Sequence, residues 1–362
     1  MIFKEKSWLG ERASLFAIVV AVAAFSSCGS SPNQETAFVA LPSTNDIAVF
    51  HIDNSGNFHT VLGSPFPGGT SPVAVRVTPA KKFLYAANQG ENDISLFKID
   101  SNTNGLSEVT PRTATGIFPV SLDMDSGGTL LFAANEASSS ISAFSINSAT
   151  GALSPVAGSP FATGQNPSSL TISPTGKFLY VLCPNTSALY VYLISSGSLQ
   201  PVIGSPFTVG QTAFSFAIDP AEHFVYVTNS AANTVSAFSI DPTSGALSGV
   251  PQSSIATGTT PVAVLVHSSG KFLYVANGGT NNISQFTLDP STGLPALIAG
   301  ALPATGTGPR FMVNDATGKN ILVATETGDS ITELKVDLTA GTLTVNQTVS
   351  TSVPPSGVVI TK

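Results

Sequence analysis

Phe83-Leu84-Tyr85-Ala86-Ala87-Asn88 decides the fold, because the chain keeps returning to it. It recurs as LLFAAN at 130–135, FLYVLC at 178–183, FVYVTN at 224–229, FLYVAN at 272–277 and NILVAT at 320–325, with a worn copy, TAFVAL, at 36–41. The copies end at 41, 88, 135, 183, 229, 277 and 325, a period of about 47 residues. A second segment keeps the same period: IAVFHID from Ile47, ISLFKID from Ile94, ISAFSIN from Ile141, LYVYLIS from Leu189, VSAFSID from Val235, ISQFTLD from Ile283 and ITELKVD from Ile331. A third opens at a glycine (Gly105, Gly151, Gly245, Gly341). A fourth opens at Pro72, Pro119, Pro167, Pro261 and Pro309, with Ala213 once in that slot.

Each segment is short, rich in Val, Ile, Leu, Phe and Tyr, and bounded by turn residues, which is the signal of a strand. Turns such as Asp241-Pro-Thr-Ser-Gly245 and Asp289-Pro-Ser-Thr-Gly293 suit tight reversals closed by a residue with positive φ. The interval from the Pro slot to the end of the next strand is constant: 72 to 88, 119 to 135, 167 to 183, 213 to 229, 261 to 277, 309 to 325. A fixed interval means a hairpin of fixed length. The sequence therefore predicts an all-β, seven-bladed β-propeller with four antiparallel strands per blade. The first copy begins at Thr36 without a Pro-led strand, and Pro355-Ser-Gly-Val-Val-Ile-Thr361 follows the last copy without companions. The N-terminal strands and the C-terminal strand are expected to form one blade and close the ring, hiding its edges.

Composition agrees. Charged residues are 10% of the 362, against about 25% in an average soluble protein. With 32 Gly and 25 Pro the chain is turn-rich, and 42% apolar content excludes disorder. A net charge of −7 excludes a general affinity for nucleic acid, since nothing would neutralise phosphates.

The first 27 residues read as a signal peptide. Ala13 to Phe25 is an apolar run broken by Ser14 alone, about 20 Å as a helix and too short for a hydrocarbon core of about 30 Å. Phe25-Ser-Ser-Cys28-Gly29 resembles the bacterial lipobox, with Phe25 in place of the usual Leu. Cys28 is the expected lipidation site, residues 28–35 a tether, and residues 36–362 the propeller. The protein is thus expected in the cell envelope, facing the periplasm or the cell surface, with the lipid as its sole membrane contact. Cys183 is the one other cysteine and can form no internal disulfide.

Comparing the copies separates structure from candidate function. Asn88, Asn135, Asn229 and Asn277 share one slot and should tie the strand end to its loop. After the Pro slot stand Val73, Val120, Ser168, Phe214 and Val262, but then Arg310. One place beyond the Asn slot stand Gln89, Glu136, Pro184, Ser230 and Gly278, and then Glu326. The hairpin makes Arg310 and Glu326 cross-strand neighbours at one channel mouth. Such a pair could polarise a carbonyl and activate a water; its structural alternative is a rim salt bridge worth little. Calcium at Asn45-Asp46, Asn92-Asp93 or Asp329 would need ligands less scattered than these, so neither metal nor cofactor is expected.

Tyr226-Val-Thr-Asn229, Phe272-Leu-Tyr-Val-Ala-Asn277 and the Pro–strand–Gly-Lys-Phe-Leu-Tyr-Val pattern resemble the YVTN-type propellers and the lactonase family of 6-phosphogluconolactonase-like and muconate-cycloisomerising enzymes. Gly306-Thr-Gly-Pro-Arg310 with Glu326 is similar to that family's Gly-Pro-Arg and later Glu, which implies Arg310 and Glu326 as catalytic residues. The chain departs from the pattern at Phe311, where the family carries His, and in lacking His after an earlier Pro slot. His51, His59, His223 and His267 fall elsewhere and read as non-catalytic. Two functions stay open. One is a monomeric module binding a small molecule or an envelope protein at the mouth, its family catalytic site degraded. The other is a lactone hydrolase using Arg310 and Glu326.

Overall fold

The computed structural model describes residues 35–53, 57–300 and 302–361. Cys28, the expected signal peptide and all of the expected tether but Glu35 lie outside them. Seven antiparallel sheets follow one another along the chain. Blade 2, for example, runs Pro72–Val77, Phe83–Asn88, Asp93–Ile99 and Leu106–Ala114, in that order from inner to outer strand. Blades 3 to 7 have inner strands Pro119–Met124, Ser169–Ile172, Ala213–Ile218, Pro261–Val266 and Pro309–Asn314. Blade 1 takes its inner strand, Gly357–Thr361, from the C-terminus and the rest from Glu35–Leu41, Asp46–Ile52 and Phe58–Thr60. Thr361 pairs with Thr36 and Gly357 with Ala40, so the two ends of the chain close the ring.

The Phe83–Asn88 motif is the second strand of its blade and is buried at every position. It lies mid-sheet, and adjacent blades cover both sheet faces, so it reads as a continuous apolar run instead of alternating. The core is accordingly seven clusters, one at each blade–blade interface. Phe38, Ile47, Leu84 and Phe97 pack between blades 1 and 2; Val39, Phe50, Leu322 and Ile331 pack between blades 1 and 7. Each such side chain contributes roughly 1.5–3 kcal/mol by leaving water. Buried tyrosines staple neighbouring blades: Tyr85 donates to Gly151 O at 2.7 Å, Tyr226 to Gly293 O at 3.1 Å and Tyr274 to Gly341 O at 2.9 Å. Gly341 needs to be glycine twice over, for its φ of 74° and because a Cβ would meet the Phe272 ring at 2.3 Å.

Four sheets carry a fifth, two-residue strand on the outer edge: Phe66–Pro67, Phe161–Ala162, Phe207–Thr208 and Ile255–Ala256. The outer strand there is interrupted and then resumes along the same third strand. The repeated Gly-Ser-Pro-Phe segments mark three of these breaks. At the breaks a serine hydroxyl accepts the third-strand N–H left over: Val49 N to Ser64 at 2.8 Å, Ala143 N to Ser159 at 2.9 Å, Val191 N to Ser205 at 2.9 Å and Ala237 N to Ser253 at 3.1 Å. An unpaired buried N–H is costly, so the serine keeps the ladder satisfied across the gap.

Candidate functional site at the channel mouth

The inner strands line a central channel. At its Pro-led end, one local device sets the rim. Pro72 pairs with Asn88 and Ala74 with Ala87, leaving Val73 as an extra residue. The same bulge falls on Val120, Phe214, Val262 and Arg310. A bulge bends its strand and re-aims the odd side chain; here each bulged residue is half-buried on the rim. The residue before each slot is left-handed: Ser71, Phe118, Asn166, Thr212 and Thr260, with φ between 51° and 64°, and Gly308 at 68°. That conformation is costly for a β-branched threonine. Ties from the preceding blade hold it in four copies: Ser71 N to Asn45 Oδ1 at 2.8 Å, Phe118 N to Asn92 Oδ1 at 2.7 Å, Thr260 N to Asn233 Oδ1 at 2.8 Å and Gly308 N to Asn281 Oδ1 at 2.8 Å. The rim is therefore a preformed ring rather than a set of loose loops.

The asparagine slot is structural. Asn277 Nδ2 donates to Asn282 Oδ1 at 2.8 Å and Ser284 Oγ at 3.0 Å, and Asn88, Asn135 and Asn229 make the corresponding pairs of bonds.

The structure brings Arg310 and Glu326 together, with Nε and Oε2 3.9 Å apart and the side chains 41% and 58% exposed. This is an ion pair without a hydrogen bond, since 3.9 Å is beyond bonding distance. The guanidinium carbon lies 4.5 Å from the centroid of the Phe214 ring, so a residue of blade 7 reaches past blade 6 to blade 5. Burial lowers the Arg310 pKa and Glu326 partly offsets that; an arginine stays charged regardless. Among the described residues, no hydrogen bond holds the guanidinium, whereas the other two arginines there are tied down. Arg112 bonds Glu108 at 2.6 Å, Gly68 O at 3.3 Å and also Glu91. Arg76 Nε bonds Asp123 Oδ1 at 3.0 Å, while Asp123 Oδ2 accepts from Ile172 N at 2.8 Å, linking the inner strands of three blades within the channel.

Two features, one at the mouth and one within the channel, escaped sequence reasoning. Phe214 could be singled out as the one aromatic residue in the bulge slot, but its contact with Arg310 crosses the ring. Arg76 and Asp123 occupy equivalent places four residues after the Pro slot, one repeat apart, and that equivalence was the available signal. Glu136 occupies the Glu326 slot three blades away; it is half-buried and burial raises its pKa. The histidines lie away from the mouth. His51 and His59 pair across the third and outer strands of blade 1. His223 follows the inner hairpin turn at the opposite face, and buried His267 uses Nε2 to reach Gly318 O at 2.6 Å, with Nδ1 accepting from Ser269 N at 3.1 Å. Among the described residues no group of three or more His, Cys, Asp or Glu could hold a metal ion.

Seven four-stranded blades, closed by the two chain ends, define a seven-bladed propeller. The profile of the Lactonase, 7-bladed beta-propeller family matches residues 25–162, 156–265 and 250–360, and the chain belongs to that family. No curated protein matches the sequence. Among solved structures, the chain is similar to a candidate 6-phosphogluconolactonase from Bacteroides fragilis, at 21% identity and a TM-score of 0.79 over 91% of this chain and 99% of that one. It is also similar to a periplasmic gluconolactonase from Pseudomonas aeruginosa, at 19% identity and a TM-score of 0.76 over 91% and 99%. A functionally unknown protein from Desulfotomaculum acetoxidans matches at 13% identity and a TM-score of 0.72 over 90% and 98%. At these identities the likeness is one of fold.

Proposed function

We propose that the chain is an exported, lipid-anchored propeller that binds a small carbonyl- or carboxylate-bearing ligand at the channel mouth, with Arg310 as the anchor. The supporting observation is the Arg310 guanidinium, which no hydrogen bond holds among the described residues. A guanidinium offers five N–H donors in a planar fork suited to an oxygen pair. The envelope location rests on the sequence around Cys28. Family catalysis is taken as reduced, because Phe311 stands where the resemblance implies a His.

The Arg310–Glu326 pair favours a second reading, lactone hydrolysis. Arg310 would hold the lactone carbonyl while Glu326 takes a proton from water. The water oxygen adds to the carbonyl carbon, the ring C–O bond breaks, and the proton passes to the leaving alkoxide, giving a hydroxy acid. The discriminating experiment is hydrolysis and binding of a lactone panel by the wild-type protein, Arg310→Ala and Glu326→Gln. Binding without turnover, lost in Arg310→Ala, supports the binding module. Turnover lost in both variants supports the hydrolase. Turnover or binding unaffected by Arg310→Ala contradicts both.

A further inference from the structure

We infer that the carbonyl- or carboxylate-bearing ligand of this mouth has an aromatic or branched aliphatic body and carries no phosphate. The inference rests on the reading of Arg310 as the ligand anchor and goes on to name the ligand's chemical class.

The charge pattern gives the first argument. A phosphate ester carries about −1.5 to −2 charges and three strong acceptor oxygens, so it is held by clustered cations. Arg310 already faces the Glu326 carboxylate at 3.9 Å. Arg112 is committed to Glu108 and Glu91, and Arg76 to Asp123. Lys82, Lys177, Lys271 and Lys319 lie at or beside the inner hairpin turns, which face the other way. Glu136 shares the rim, and burial already disfavours its ionised form. A dianion entering this mouth would meet one partly neutralised guanidinium and two carboxyl groups. A single carbonyl or carboxylate needs only the one fork.

The wall gives the second argument, independently of charge. Val73, Val120 and Val262 occupy three of the bulge slots, and Phe214 a fourth. Phe311, next to Arg310 on the same inner strand, is 40% exposed. A polyhydroxylated sugar would lose its water partners against these apolar side chains, at a cost for each hydroxyl left unsatisfied. An aryl or branched alkyl group would instead cover apolar area at roughly 25 cal/mol per Å². Phe214 also backs the guanidinium, whose central carbon lies 4.5 Å from the ring centroid.

The test uses γ-phenyl-γ-butyrolactone and its hydroxy acid against 6-phosphogluconolactone and 6-phosphogluconate, with calorimetric binding of the acids and turnover of the lactones. The aryl hydroxy acid should bind about tenfold or more tightly than 6-phosphogluconate. Phe311→Ser and Phe214→Leu should each weaken aryl binding several-fold; the leucine keeps an apolar wall while removing the ring face. Thermal melts identify any variant that fails to fold. Aryl binding that is lost in Arg310→Ala, even without turnover, upholds the ligand class. Preference for the phosphorylated sugar, in binding or turnover, overturns the class while leaving Arg310 as anchor if Arg310→Ala abolishes it. Tight aryl binding insensitive to Arg310→Ala contradicts the anchor itself. Failure of both acids to bind overturns the proposal.

Discussion

The guanidinium of Arg310 sits 4.5 Å from the ring centroid of Phe214, and the two residues occupy the same bulge slot in blades 7 and 5. The contact therefore spans blade 6 at the channel mouth. It gives a partly exposed arginine a backing on one face while its donors stay unbonded among the described residues, the condition for receiving an oxygen ligand without first breaking an internal hydrogen bond.

Phe214→Ala should lower stability by about 1 kcal/mol, the scale of a partly exposed cation–π contact together with some lost apolar burial. It should weaken ligand binding more than it weakens the fold. Denaturant melts compared with binding isotherms check the split.

Removing Gly357–Lys362 should open the ring. The five pairs from Thr36–Thr361 to Ala40–Gly357 would be lost, and the faces of Ala37, Val39 and Leu322 would lose Val358 and Ile360 as neighbours. A sharp fall in melting temperature is expected. A melt superimposable on that of the full chain would contradict closure by the two termini.

Asn277→Ala removes two hydrogen bonds, a part-buried one to Asn282 and a buried one to Ser284, and should cost about 1–3 kcal/mol. Asn277→Thr should cost less. Thr325 fills the same slot in blade 7 and bonds Ser330 Oγ at 2.7 Å. Chemical denaturation of the two variants gives the comparison.

Glu333 is buried on the third strand of blade 7, where Oε2 accepts from Asn346 Nδ2 at 2.6 Å and, among the described residues, Oε1 has no hydrogen-bond partner. Burial raises its pKa above 4.5. A carboxyl raised in the folded state binds more protons folded than unfolded, so stability falls as pH rises above about 4.5. The loss is complete once the pH exceeds the folded-state value. Blade 6 carries Gln285 at the equivalent place, pairing with Tyr274 as Glu333 pairs with Leu322. Glu333→Gln should therefore flatten this part of the stability–pH curve and raise the melting temperature at pH 8 by an amount corresponding to roughly 1 kcal/mol.

The blades were legible in the sequence because the second strand of each is buried on both faces. Phe83–Asn88 and its copies carry an apolar run that recurs with the period, and the Pro slot marks where each blade begins. Ring closure was legible because the leftover pieces at the two ends are complementary. The interrupted outer strands were not. Phe66–Pro67 and its counterparts are two residues long, too short for any hydrophobic pattern, and the link from Ser64 to Val49 N joins residues that no local rule pairs. The Arg310–Glu326 proximity followed from hairpin length alone. The Phe214 contact did not, because a β-bulge sets the direction of both side chains and the curvature of the ring brings them together.

The most direct test of Arg310 as the ligand anchor is a calorimetric titration of γ-phenyl-γ-butyrolactone's hydroxy acid into the wild-type protein, Arg310→Ala and Arg310→Lys. Saturable binding to the wild type is expected, with loss in the alanine variant and weaker binding in the lysine variant, which keeps the charge without the fork. Equal affinities across all three proteins would contradict the assignment of Arg310 as the ligand anchor.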